Sequence, residues 1–211
     1  MSDSDAILRE PWPNVARQRD GAAFGMWLFL ATEVLFFGAL FLTYAIYRTL
    51  YPAEFRAAIA ETNLFYGTLN TIVLLTSSLV MTVAVRSADL GLRRAALACL
   101  AITAALGLAF VVIKGLEYGD DLDKHLWPGN DFRLKDLPAA QLFFALYWVM
   151  TGVHAIHLAI GIGLTVVLAV SLARHRLALR SPAVETVSLY WHFVDTIWIV
   201  LYTLLYLPGR L

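Results

Sequence analysis

The sequence predicts an all-α integral membrane protein, a bundle of five transmembrane helices with its N-terminus in the cytoplasm. Two observations carry the fold class. Of the 211 residues, 60% are hydrophobic, where ordinary soluble domains hold about 45–50%. The excess is gathered into five blocks, each long enough to supply the roughly 20 residues that a helix needs to cross a hydrocarbon layer about 30 Å thick. A third observation, the distribution of Lys and Arg between the blocks, sets the orientation.

The blocks are residues 22–47, 64–85, 95–116, 142–173 and 184–207. Tyr51-Pro52 breaks the chain after the first, and Asp89-Leu90-Gly91 follows the second. Residues 119–138, with Asp120, Asp121, Asp123, Pro128-Gly129 and Asp131, form the longest expected loop. Ser181-Pro182 opens the fifth span, serine as N-cap and proline at the first helical position. Residues 1–21 are a polar cytoplasmic segment with Pro11 and Pro13 and no apolar run of signal-peptide type. Residues 22–211 make up the five-helix domain.

With the N-terminus inside, the inner segments hold Arg9, Arg17, Arg19, Arg86, Arg93, Arg94, Arg174, Arg176 and Arg180. The outer segments hold Arg48, Arg56, Lys124, Arg133, Lys135 and Arg210, so nine basic residues oppose six, as the positive-inside rule requires. Sixteen Lys and Arg balance sixteen Asp and Glu, which leaves no basic excess to bind nucleic acid. The single cysteine, Cys99, excludes an intrachain disulfide and sits in an apolar run as a small packing residue. There is no GxGxxG or Walker A run, no CxxC or CxxCH, and no Gly/Pro-broken span of transporter type.

Ionisable groups at membrane depth are costly and mark candidate sites. Here they are Glu33 in the first span, Lys114 and Glu117 in the third, His154 and His157 in the fourth, and His192 and Asp195 in the fifth. Glu185 starts a mostly polar stripe that continues through Ser188, His192, Asp195, Ile199, Tyr202 and Tyr206. At 1.5 Å per residue, Glu33, His157 and Asp195 all fall near mid-membrane, which predicts one buried cluster. Depth favours His157 over His154 as the partner of Glu33. Each feature has a structural reading beside the functional one. Glu33 is a proton-handling group or a hydrogen-bonded structural carboxyl. The histidine pairs make interhelical bonds rather than a metal site, for no third ligand accompanies either. Lys114 and Glu117 read as an interfacial ion pair, the lysine snorkelling outward. Gly152, Ala155, Ala159 and Gly163 read as a small-residue face for close helix packing.

Five stretches resemble the subunit III family of haem-copper oxidases, in order and over residues 20–208. They are GMWLFLATEVLFF at 25–37, LNTIVLLTSS at 69–78, GLEY at 115–118, TGVHAIH at 151–157 and YWHFVDTIW at 190–198. Mitochondrial-type members have seven helices. This chain lacks the first two, which wall a lipid-filled cleft, as do the shorter bacterial forms of caa-type and bo-type oxidases. The resemblance implies a non-redox auxiliary subunit in the bacterial inner membrane. Such a subunit packs on the oxidase's subunit I and near subunit II, and supports proton uptake and the durability of the active site. Haem and copper then lie in partner subunits, none in this chain, with phospholipid a candidate ligand. On this reading Glu33 matches the family's buried helix glutamate, and His154, His157, Glu185, His192 and Asp195 match its polar interior. A subunit III-like accessory protein of bacterial nitric oxide reductase stays open as an alternative. So does a stand-alone metal-dependent membrane enzyme built on His154, His157, His192 and Asp195. The electron donor, cytochrome c or quinol, is left open too.

Overall fold

A computed structural model describes residues 13–208. Arg9, Pro11 and Arg210, and with them most of the expected N-terminal segment, lie outside the described residues. The elements are α1 (Val15–Leu50), α2 (Pro52–Glu61), α3 (Leu64–Asp89), α4 (Arg93–Asp123), α5 (Pro138–Ala173) and α6 (Pro182–Leu205). Five of them are long and apolar enough to cross a membrane, as the sequence predicted. The sixth, α2, has ten residues and is too short to cross; Pro52 starts it and Phe55, Ala58 and Ile59 bury one side of it.

The helices overrun their apolar blocks. α1 begins seven residues early because the Asn14 side chain accepts from the Arg17 N–H at 2.9 Å, and Ala-Arg-Gln-Arg is good helix sequence. Residues 15–21 are therefore helical and continuous with α1. α4 runs on to Asp123, so Gly119 to Asp123 are helical where a loop was expected. The extension is held by Asp121, whose carboxyl group lies 2.8 Å from the Tyr147 hydroxyl of α5.

Three helices stop in the same way. After α3, α4 and α5 the chain enters a left-handed residue, Gly91, His125 and His175 respectively. The N–H of the next residue reaches back to a carbonyl five residues earlier: Leu92 to Ser87, Leu126 to Asp121 and Arg176 to Ser171. That pairing satisfies the open carbonyls of a helix end.

α3, α4, α5 and α6 close into a ring, each touching its neighbours and α6 returning to α3. α1 leans on the outside of this ring against α6 and α5, and α2 packs on α5. Two indoles pin α6 to α3: Trp191 Nε1 donates to Ser77 Oγ at 3.1 Å, and Trp198 Nε1 to Thr71 Oγ1 at 3.0 Å. Glycine makes room for the first of them. A Cβ on Gly107 of α4 would lie 2.7 Å from Trp191, and one on Gly161 of α5 would touch Tyr190 and Trp191.

The expected small-residue packing face on α5 is not used for packing within the chain. A Cβ on Gly152 or Gly163 would meet nothing within 4 Å, and Ala159 is exposed. α5 instead turns Tyr147, Met150, Thr151, His154, Leu158 and Gly161 inward, and its large aromatics fix that rotation by filling the ring. We expect Gly107→Ala to cost about 1–3 kcal/mol through overpacking against Trp191. Gly152→Ala should cost nothing measurable, a contrast that thermal denaturation of the two variants within their native assembly will read.

Candidate functional site: two polar centres in the membrane

The first centre joins α1 to α5. Glu33 Oε2 lies 3.0 Å from His157 Nε2, with both side chains largely covered, at 18% and 16% exposure. The other ring nitrogen, Nδ1, sits 2.9 Å from the carbonyl oxygen of Val153 one turn earlier. A carbonyl only accepts, so Nδ1 carries its hydrogen. The Nε2–Oε2 contact then holds one further proton, on either the imidazole or the carboxyl. Glu33 and His157 are thus a proton-sharing pair whose geometry serves both forms. Phe37 stands edge-on to the imidazole at 5.3 Å, and the Tyr190 hydroxyl donates to the His157 carbonyl at 3.0 Å.

The single mid-membrane cluster predicted from depth does not form. His154, three residues from His157, points into the ring rather than toward α1. It lies against Phe110 and Trp198 at 5.6 Å and 5.3 Å, and neither of its nitrogens has a hydrogen-bond partner. His192 turns toward α3, with Nδ1 2.7 Å from Ser78 Oγ. Asp195 is buried beside the Ser78 hydroxyl, which lies 2.7 Å from His192 Nδ1, and neither carboxylate oxygen makes a hydrogen bond of normal geometry. His192 and Asp195 are therefore not bonded to each other. Residues three apart on a helix point about 60° apart, which is enough to send His154 and His157 to different neighbours. Glu185, expected in the polar interior, is exposed. It sits in the first turn of α6, where unpaired backbone N–H groups favour a carboxylate.

The second centre is built on Lys114 and Glu117, which are 2% and 0% exposed. The expected snorkelling is overturned, because the ammonium finds all its partners inside. Lys114 Nζ donates to Glu117 Oε2 at 2.9 Å and to the hydroxyls of Tyr147 and Tyr206, each at 2.8 Å. Its three hydrogens are all used. Tyr206 donates to Glu117 Oε1 at 2.7 Å, while Tyr147 lies 2.8 Å from Asp121 Oδ2 and 3.1 Å from Glu117 Oε1. The rings of Tyr147, Tyr118, Tyr206 and Trp198 surround the ammonium at 4.6, 4.9, 5.5 and 5.8 Å, each within cation–π range. Sequence reasoning missed Asp121 and Tyr147. The signal was present in part: Lys114, Glu117 and Asp121 fall at i, i+3 and i+7, one face of a helix.

Among the described residues, no group of three or more His, Cys, Asp or Glu side chains is placed to hold a metal ion.

The family model for cytochrome c oxidase subunit III matches residues 14–210. The chain belongs to this family. It is 34% identical over 197 residues to the cytochrome c oxidase subunit 3 of Thermostichus vulcanus, with 90% of this chain and 89% of that protein covered. A cytochrome bo(3) ubiquinol oxidase subunit 3 from Pseudomonas aeruginosa is 31% identical over 189 residues, covering 89% of this chain and 85% of that one. The Danio rerio cytochrome c oxidase subunit 3 is 34% identical over 201 residues, and there the alignment covers only 70% of the relative. The longer animal relative thus contains segments without a counterpart here. As a subunit III, the chain is a multi-pass membrane protein and an auxiliary subunit of a haem-copper oxidase.

We expect Lys114→Met to strand Glu117 and to cost about 3–5 kcal/mol. Lys114→Met combined with Glu117→Met should lose less than the single change, since an apolar pair leaves no unpaired charge behind. The amount of the chain retained in purified complex on heating measures both.

Proposed function

We propose that this subunit III packs on the oxidase's subunit I, close to subunit II, and supports proton uptake through the Glu33–His157 pair. The observation that carries the proposal is the pair itself: one carboxyl and one imidazole, bridging α1 and α5, with a proton shared across 3.0 Å. Nδ1 is committed to the Val153 carbonyl, so only the Nε2 side exchanges a proton with Glu33. α1 presents Phe24, Trp27, Leu28, Val34 and Leu35 outward, an apolar surface suited to lipid and to neighbouring helices. In this reading the chain sits in a bacterial inner membrane with its N-terminus in the cytoplasm. Haem and copper belong to its partners, and phospholipid lies against its surface.

Relatives named as oxidases of cytochrome c and of ubiquinol favour the oxidase reading over nitric oxide reductase. The stand-alone metal enzyme needs His154, His157, His192 and Asp195 to converge. His154 faces Phe110 and Trp198 and His157 faces Glu33, while His192 and Asp195 both lie beside Ser78, so the four do not converge.

Mild-detergent purification through a tag on this chain should bring down a haem-bearing complex. The chain separated from that complex should show neither haem absorbance nor stoichiometric copper. In the same membranes Leu90→Cys should label from the cytoplasm and Asp123→Cys from outside; the reverse pattern inverts the topology.

Glu33→Gln keeps a hydrogen-bonding group and should assemble, while Glu33→Leu leaves His157 unpaired and should cost about 1–3 kcal/mol. If the pair handles protons, Glu33→Gln slows turnover or shortens its duration, most at high pH, where protons are scarce. Oxygen consumption across pH, with subunit content checked by gel, decides; unchanged turnover and lifetime at every pH leaves Glu33 a structural residue.

A further inference from the structure

We infer that the Lys114 centre is a proton-binding site, distinct from Glu33–His157, in which Asp121 carries a proton and donates it in a hydrogen bond to Tyr147. The argument is a count of hydrogens. Six contacts link the five side chains: three from Lys114 Nζ, one between Tyr206 and Glu117, and two from Tyr147, to Asp121 at 2.8 Å and to Glu117 at 3.1 Å. Each normal hydrogen bond needs its own hydrogen. Lys114 supplies three and each tyrosine one, which makes five. The sixth contact is complete if a carboxyl supplies the remaining hydrogen.

Glu117 is the poor choice for that proton. Its Oε2 lies 2.9 Å from the ammonium, and Oε1 accepts from Tyr206 at 2.7 Å, so both oxygens face donors. Asp121 is the better one. Its carboxyl has one hydrogen-bond contact, Oδ2 to the Tyr147 phenol, while Oδ1 is buried without a partner. Asp121 is 1% exposed, so no water shell compensates a charge there. With the proton the centre holds one cation and one anion; without it, one cation and two anions.

The other ionisable groups near the site do not change the count. From α4, Tyr118 bonds to Thr151, and Asp120 interacts with Tyr66 of α3. Lys124, beyond the end of α4, acts on Asp121 through space without a hydrogen bond. From α5, His154 acts on the site only through space with Lys114. Tyr206 follows α6 and is already counted.

The Asp121 carboxyl meets the rest of the centre through the Tyr147 phenol, which itself lies 3.1 Å from Glu117 Oε1, so a proton reaching or leaving Asp121 from the centre crosses Tyr147.

Infrared difference spectroscopy on the assembled complex, wild type against Asp121→Asn, tests this. The asparagine amide donates to Tyr147 as the acid does, so the variant should assemble, and the spectrum should lose the carbonyl stretch of one carboxylic acid. Loss of carboxylate bands instead shows Asp121 ionised and overturns the proposal, leaving the Tyr147 hydrogen shared between two acceptors. Should Asp121→Asn fail to assemble, Tyr147→Phe decides. It removes the acceptor of the acid proton, so an acid carbonyl band shifts if Asp121 is protonated. A spectrum unchanged in that region overturns the proposal.

Discussion

A lipid bilayer offers no water to a polar side chain, and this constraint organises the interior of the protein. Inward polar groups are held chiefly by bonds within their own helix or to a neighbouring one, and the bonds between helices orient the bundle. The two indoles of α6 find hydroxyls on α3. The ammonium of α4 finds one carboxylate on its own helix and two phenols, one on α5 and one just beyond α6. Because these partners come from different helices, the polar bonds do what a hydrophobic core does in water: they fix which helix faces which. Gly107 and Gly161 then follow as a consequence, since Trp191 reaches its serine only where two helices leave space for the ring.

The two polar centres solve the same problem differently. Lys114 and its neighbours are sealed inside the ring, with the charge spread over hydrogen bonds and aromatic faces. Glu33 and His157 lie at the seam where α1 meets the ring, and are less thoroughly covered. A centre at a seam can meet another subunit or a water molecule at the bilayer's inner surfaces, and a sealed one can exchange protons only along its own hydrogen bonds. That difference is why the seam pair, and not the sealed cluster, is assigned to proton uptake by the complex.

Much of the fold was legible because the hydrocarbon layer imposes a length that appears directly in the sequence. The five spans stood out for that reason. α2 did not, since ten residues of mixed polarity carry no such imprint and packing on α5 and α1 holds them. The end of α4 was lost where the apolar run stops at Leu116, although the helix is kept going by one buried aspartate. The partner of Glu33 was legible because depth along a helix is arithmetic. The fate of His154, His192 and Asp195 was not, because the rotation of a helix about its axis depends on the bulk of its neighbours. Lys114 misled for a related reason: a long side chain near a membrane edge has two ways to satisfy its charge, and the choice between them rests on tyrosines 33 and 92 residues away.

The helices are unequal in length. α1 and α5 have 36 residues each and α6 has 24, or about 54 Å and 36 Å end to end. α6, and α3 with 26 residues, come closest to the thickness of a hydrocarbon layer of about 30 Å. The longer helices must tilt or project, and α1, bound to the ring along one side only, is the freest to do so. A thinner or thicker bilayer would be met first by a change in the inclination of α1, and Glu33 rides near the middle of that helix. The lipid composition of the membrane therefore has a mechanical route to the one carboxyl that bridges α1 and the ring.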